Sequence, residues 1–134
     1  MLRAMASRSQ VVLVVDDDAA VRNALKFLLE IEGFDVRLYD SPAAVLAAVL
    51  ADRHLPAGAC LVADYRMPGM EGVQLVDALH ARRVEIPAIL IISERADDQL
   101  TRRARRSGIH EILEKPLSDS ALVESIRHAL AVAP

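Results

Sequence analysis

The chain has 134 residues, of which 53% are hydrophobic, 26% charged and 3% aromatic, with a formal net charge of -3 at pH 7. That size suits one domain, and the apolar content is ample for a packed core, which excludes disorder except at the ends. The balance of charge excludes the basic excess of a duplex-binding module, and no stretch approaches the roughly 20 apolar residues that cross a bilayer.

Residues 1–10 (MLRAMASRSQ) lack the apolar middle of a signal peptide, so they read as a flexible tail on a cytoplasmic protein. Val11 to Val15 is a continuous apolar run of the kind found in strands covered on both faces, and it leads into Asp16, Asp17 and Asp18. Val21, Leu25, Leu28 and Leu29 then form one helical stripe, predicting a helix over about 19–32 with Asp18 as its cap and Gly33 as its stop. Phe34 to Tyr39 alternates apolar with polar residues and predicts an edge strand. Ser41-Pro42 opens a second helix that extends to about 52, and His54 to Gly58, with Pro56, reads as a loop.

Ala59 to Ala63 is the next apolar run and ends at Asp64. The one cysteine, Cys60, lies inside it and reads as a small core residue in a reducing compartment. A third helix is predicted over about 71–83, burying Val73, Val76 and Leu79. Ala88 to Ile92 is a fourth strand ending at Ser93. A fourth helix over about 97–107 carries Arg102, Arg103, Arg105 and Arg106 and little apolar besides Leu100 and Ala104, which suits a solvated face or a mobile docking surface. Glu111 to Glu114 is a short strand ending in Lys115-Pro116. Ser118 caps the last helix, with Leu117 and Leu122 placed as a hydrophobic staple. Alternating strands and helices with short connections predict an α/β fold, a doubly wound parallel sheet with helices on both faces.

Parallel strands put all their C-terminal ends on one edge, where open α/β sheets place their sites. Asp16, Asp17 and Asp64 would then crowd together, and like charges that close resist joint ionisation unless a cation relieves them. A hard, oxygen-seeking Mg²⁺ suits such a set, with Mn²⁺ a plausible substitute. Asp64 precedes Tyr65-Arg66-Met67-Pro68-Gly69, whose tight turn leaves its carboxylate exposed to attack phosphorus and form an acyl phosphate. Ser93 offers a hydroxyl and Lys115 a mobile charge to a phosphoryl oxygen. The four histidines, His54, His80, His110 and His128, are spaced in a way that suggests no metal site and no phosphohistidine carrier, only surface or packing roles.

From VLVVDDD through VADYRMPGMEG and LIIS to EKP, residues of about 10–131 resemble the receiver domains of two-component response regulators. DDDAAVRNALKFLLEIEGF and DYRMPGMEGVQL resemble the FixJ-type branch in particular. The resemblance implies a flavodoxin-like, CheY-like sheet of five parallel strands in the order 2-1-3-4-5, a receiver over 11–131 and no output domain within this chain. It further implies Asp64 as phosphoacceptor and Asp16, Asp17, Asp64 and the Arg66 main-chain carbonyl as Mg²⁺ ligands. Ser93 would be the switch hydroxyl and Lys115 the phosphate-binding lysine, followed by a cis peptide at Pro116. The implied partners are a sensor histidine kinase or phosphotransfer protein and a target reading the face of the fourth helix, fifth strand and fifth helix, with a homodimer also compatible. The receiver would catalyse only its own phosphorylation and dephosphorylation.

The chain departs from that pattern in two places. Where receivers commonly have an aromatic switch residue, three before the lysine, it has Ile112. After Ser93, where a small residue is usual, it has Glu94 and Arg95, which with Arg66 stand at the site mouth and are expected to alter phosphorylation rates. Two other functions compete with the receiver. One is a haloacid-dehalogenase-type phosphatase with Asp16 as nucleophile, and the other a pseudo-receiver that binds partners without phosphate.

Overall fold

The computed structural model describes residues 10–51 and 59–132. In chain order the elements are β1 (Val11–Val15), α1 (Ala19–Ile31), β2 (Asp35–Tyr39), α2 (Pro42–Ala51), β3 (Ala59–Asp64), α3 (Gly72–Ala81), β4 (Ala88–Ile92), α4 (Asp98–Arg106), β5 (Glu111–Glu114) and α5 (Asp119–Val132). The predicted loop over His54 to Gly58 and nearly all of the N-terminal tail lie outside the described residues.

The strands form one sheet in the order β2-β1-β3-β4-β5, and every pair is parallel. Successive side chains alternate between the two faces of this sheet. Val11, Leu13, Val15, Leu61 and Ala63 therefore pack on Val45 and Val49 of α2 and Leu75, Val76 and Leu79 of α3. Val12, Val14, Cys60, Val62, Ile89 and Ile91 pack on Leu25 and Leu29 of α1 and Leu122 and Ile126 of α5. Burying each such leucine or isoleucine is worth about 1.5–3 kcal/mol. The buried side chains of helix α4 are Leu100 and Ala104.

Caps fix where the helices begin. The Asp18 carboxylate accepts the Ala20 N–H at 2.9 Å, Ser41 Oγ accepts that of Ala44 at 3.1 Å, Asp97 accepts that of Leu100 at 2.7 Å and Ser118 Oγ accepts that of Ala121 at 3.1 Å. Helix α1 ends where Gly33, at φ +95°, and Phe34 donate back to the carbonyls of Glu30 and Leu29. Helix α3 closes in the same way with Arg83 at φ +61°, which is why it stops at Ala81, short of the predicted residue 83.

Candidate functional site

The strand registers bring the three acidic residues together. Val15 of β1 lies opposite Ala63 of β3, so the residues that follow on β1, Asp16 and Asp17, flank Asp64. One carboxylate oxygen from each of Asp16, Asp17 and Asp64 lies within 4.8 Å of the others. Asp16 is 4% exposed, Asp64 half-buried and Asp17 exposed, so the cluster opens to solvent on one side.

Burial, first, pushes the Asp16 carboxyl above the ordinary carboxylate range, although the Asp18 N–H, which Asp16 Oδ1 accepts at 2.9 Å, and the Lys115 charge favour its ionised form. Burial and then the nearby Asp16 charge raise Asp64, opposed by Lys115 and by the Arg66 backbone N–H. Three oxygen donors whose joint ionisation costs energy are chemistry that fits a small hard divalent cation.

Lys115 lies on the same edge as the acids, its main-chain N–H donating to the Ile92 carbonyl at 2.8 Å, which holds the end of β5 beside that of β4. The Lys115-Pro116 peptide is cis. Ser93, exposed, is the residue just past β4 on the same edge. Glu94 is exposed, and its Oε1 lies 2.7 Å from Arg66 Nε. Ile112 is half-buried and packs on a cluster made by Tyr65, Val73, Leu90, Ile92 and Leu100.

Sequence reasoning missed several supporting residues. Arg22 Nη1 donates to the Asp16 carbonyl at 2.7 Å, bracing the acidic turn from α1. Gly72 fits against β3 so closely that a Cβ there would lie 2.8 Å from the Asp64 carbonyl oxygen and closer still to Leu90 Cδ1. Neither contact leaves a local signal in the sequence, although a glycine opening a helix hints at close approach. His110 Nε2 and His128 Nδ1 lie 3.0 Å apart, a side-chain contact that spacing in the sequence did not show.

Residues 12–127 match the family described as "Response regulator receiver domain". The transcriptional regulatory protein FixJ of Bradyrhizobium diazoefficiens is 40% identical over 119 residues, covering 89% of this chain and 56% of that protein. The C4-dicarboxylate transport transcriptional regulatory protein DctD of Pseudomonas aeruginosa is 36% identical over 127 residues, 90% of this chain and 25% of that protein. Among solved structures, the crystal structure of FixJ-N superposes with a TM-score of 0.82 at 33% identity, covering 96% of this chain and 98% of that one. Full-length FixJ from B. japonicum gives 0.81 at 35% identity, covering 93% of this chain and 59% of that one. The chain thus spans about half the length of the FixJ proteins it matches. These matches do not favour a phosphatase built on Asp16, whose carboxylate is tied to the Asp18 N–H, or a phosphate-independent module. The five-stranded parallel order, the acidic edge and the family match together place the chain among the receiver domains of FixJ-type two-component response regulators.

Proposed function

We propose that Asp64 accepts a phosphoryl group from a phosphohistidine on a sensor histidine kinase or phosphotransfer protein. The observation that carries this reading is the meeting of Asp16, Asp17 and Asp64 oxygens within 4.8 Å, beside Lys115, at the C-terminal edge of the sheet. An Asp64 oxygen attacks phosphorus in line, the P–N bond breaks, and the imidazole nitrogen leaves with its electron pair and takes up a proton. Lys115 and the Ser93 hydroxyl hold the phosphoryl oxygens. Water later attacks the acyl phosphate, releasing inorganic phosphate and restoring the carboxylate. Asp16, Asp17, Asp64 and the Arg66 carbonyl would hold Mg²⁺, which neutralises charge on the phosphoryl oxygens when bound. The chain thus promotes only its own phosphorylation and dephosphorylation.

The receiver occupies residues 11–131, and its target or a second copy engages the face made by α4, β5 and α5. The relatives named above are transcriptional regulators of greater length, which supports a cytoplasmic role upstream of transcription, with any DNA contact made by another domain. None of the helices among the described residues is long and apolar enough to cross a membrane. Acetyl phosphate with Mg²⁺ tests the reading through intact and peptide mass. The expected result is one phosphoryl group on Asp64, abolished by Asp64→Ala; a label that survives this substitution overturns it.

A further inference from the structure

Position 112 holds an aliphatic side chain, yet the interior beside it holds a phenol ring. Tyr65, the residue after Asp64, is 9% exposed and packs on Val73, Leu90, Ile92 and Leu100, the cluster on which Ile112 also rests. We propose that Tyr65 is the aromatic relay that carries phosphorylation of Asp64 to α4, acting through the Glu71–Arg103 ion pair. The inference rests on Asp64 being the phosphoacceptor.

Tyr65 is tied to both sides of the relay. Its N–H donates to the Ile91 carbonyl and its carbonyl accepts the Gly72 N–H, each at 2.8 Å, so a change in the loop after Asp64 is passed to the ring. Leu100, one of the two side chains that bury α4, touches that ring's cluster. Glu71, at the start of α3, meets Arg103 of α4 at 3.1 Å with both side chains about one-third exposed. The same pair lies beside the Tyr65 hydroxyl, and burial followed by the Glu71 carboxylate pushes that phenol above its ordinary value.

The opposite end of the relay reaches the site mouth. The Arg66 guanidinium lies over the Tyr65 ring, 5.3 Å from its centroid, while its Nε pairs with Glu94. A phosphoryl group on Asp64 adds negative charge that competes with Glu94 for Arg66. Drawing Arg66 toward it uncovers the ring, which borders a cleft of about 200 Å³ lined by Arg66, Glu94, Leu100 and Arg103 among others. The cleft gives the ring room to move, and α4 is buried only through Leu100 and the small Ala104.

Hydrogen exchange of the α4 amides in the full chain, with Mg²⁺ and with or without acetyl phosphate, tests this. Exchange there is expected to change by at least about 5-fold in the wild type, the lower end of ordinary coupling. Tyr65→Leu should take up the phosphoryl group but lose most of the α4 change. Tyr65→Phe should retain part of it, as should Arg103→Gln, a surface change that leaves the core intact. Full α4 responses in Tyr65→Leu and Arg103→Gln, or a phosphorylated wild type without one, would overturn the relay. Absence of label on wild-type Asp64 would instead overturn the phosphoacceptor reading, and the relay with it.

Discussion

Arg66 Nε and Glu94 Oε1 lie 2.7 Å apart, so the loops that follow β3 and β4 are joined across the mouth of the acidic pocket. The pair is exposed, where such contacts add little to stability, so its meaning is kinetic. Glu94→Ala should leave thermal stability nearly unchanged while freeing Arg66 and removing a negative charge from the donor's path. Phosphorylation by acetyl phosphate is expected to quicken by about 2- to 10-fold, tenfold being 1.36 kcal/mol of barrier. Equal rates in mutant and wild type would refute this role.

Gly72→Ala should be costly, because Gly72 is buried against β3. The new methyl would meet the Asp64 carbonyl oxygen, which is backbone and cannot swing aside, as well as Leu90. A loss of about 1–3 kcal/mol is expected, the usual effect of overpacking, together with slower labelling of Asp64. Urea titration followed by circular dichroism measures the first effect.

Asp64→Asn should stabilise the metal-free protein at neutral pH. Burial raises both Asp16 and Asp64 above the ordinary 3.8, so the folded state binds more protons than the unfolded one. Metal-free stability is therefore greatest below pH 3.8 as far as these groups are concerned, and falls as pH rises through their folded values. Removing one acid should recover part of that loss at pH 7. Mg²⁺ should raise the melting temperature of the wild type but not of the variant, by mass action on the folded form. Calorimetry at pH 4 and pH 7, with and without Mg²⁺, separates these effects.

Cys60 should resist modification until the protein unfolds. Burial pushes its thiol up to about 12 from 9.0. Ellman's reagent at pH 8 is expected to react only after denaturant is added. The sign for stability follows: the neutral thiol favours the fold, and its contribution is complete below pH 9 and lost as pH rises from there toward 12. Rapid labelling of the native protein would refute the assignment.

The sheet and its acidic edge were legible because each depends on local pattern. Val11–Val15, Ala59–Asp64 and Ala88–Ile92 are unbroken apolar runs, and parallel pairing then leaves their terminal polar residues on one side. Asp18, Ser41 and Ser118 announced their helices for the same reason, since a cap bonds within its own turn. The supports of the site were not legible. Glu71 and Arg103 are 32 residues apart and meet only because α3 and α4 lie at a particular offset on the sheet, which no periodicity specifies. The same holds for His110 with His128. Tyr65 was passed over because an aromatic after a strand is compatible with an exposed or a buried ring, and only the packing of Val73 and Leu100 around it decides.

The placement of Tyr65 gives the protein an optical property of its own. The chain has no tryptophan and two tyrosines, so its tyrosine emission, unmasked by tryptophan, comes from Tyr65 and Tyr39. Replacing Tyr39 with phenylalanine would leave a single fluorophore one peptide bond from Asp64, with a guanidinium stacked above it. Light emitted by that ring would report on the loop at the acidic pocket without an attached dye.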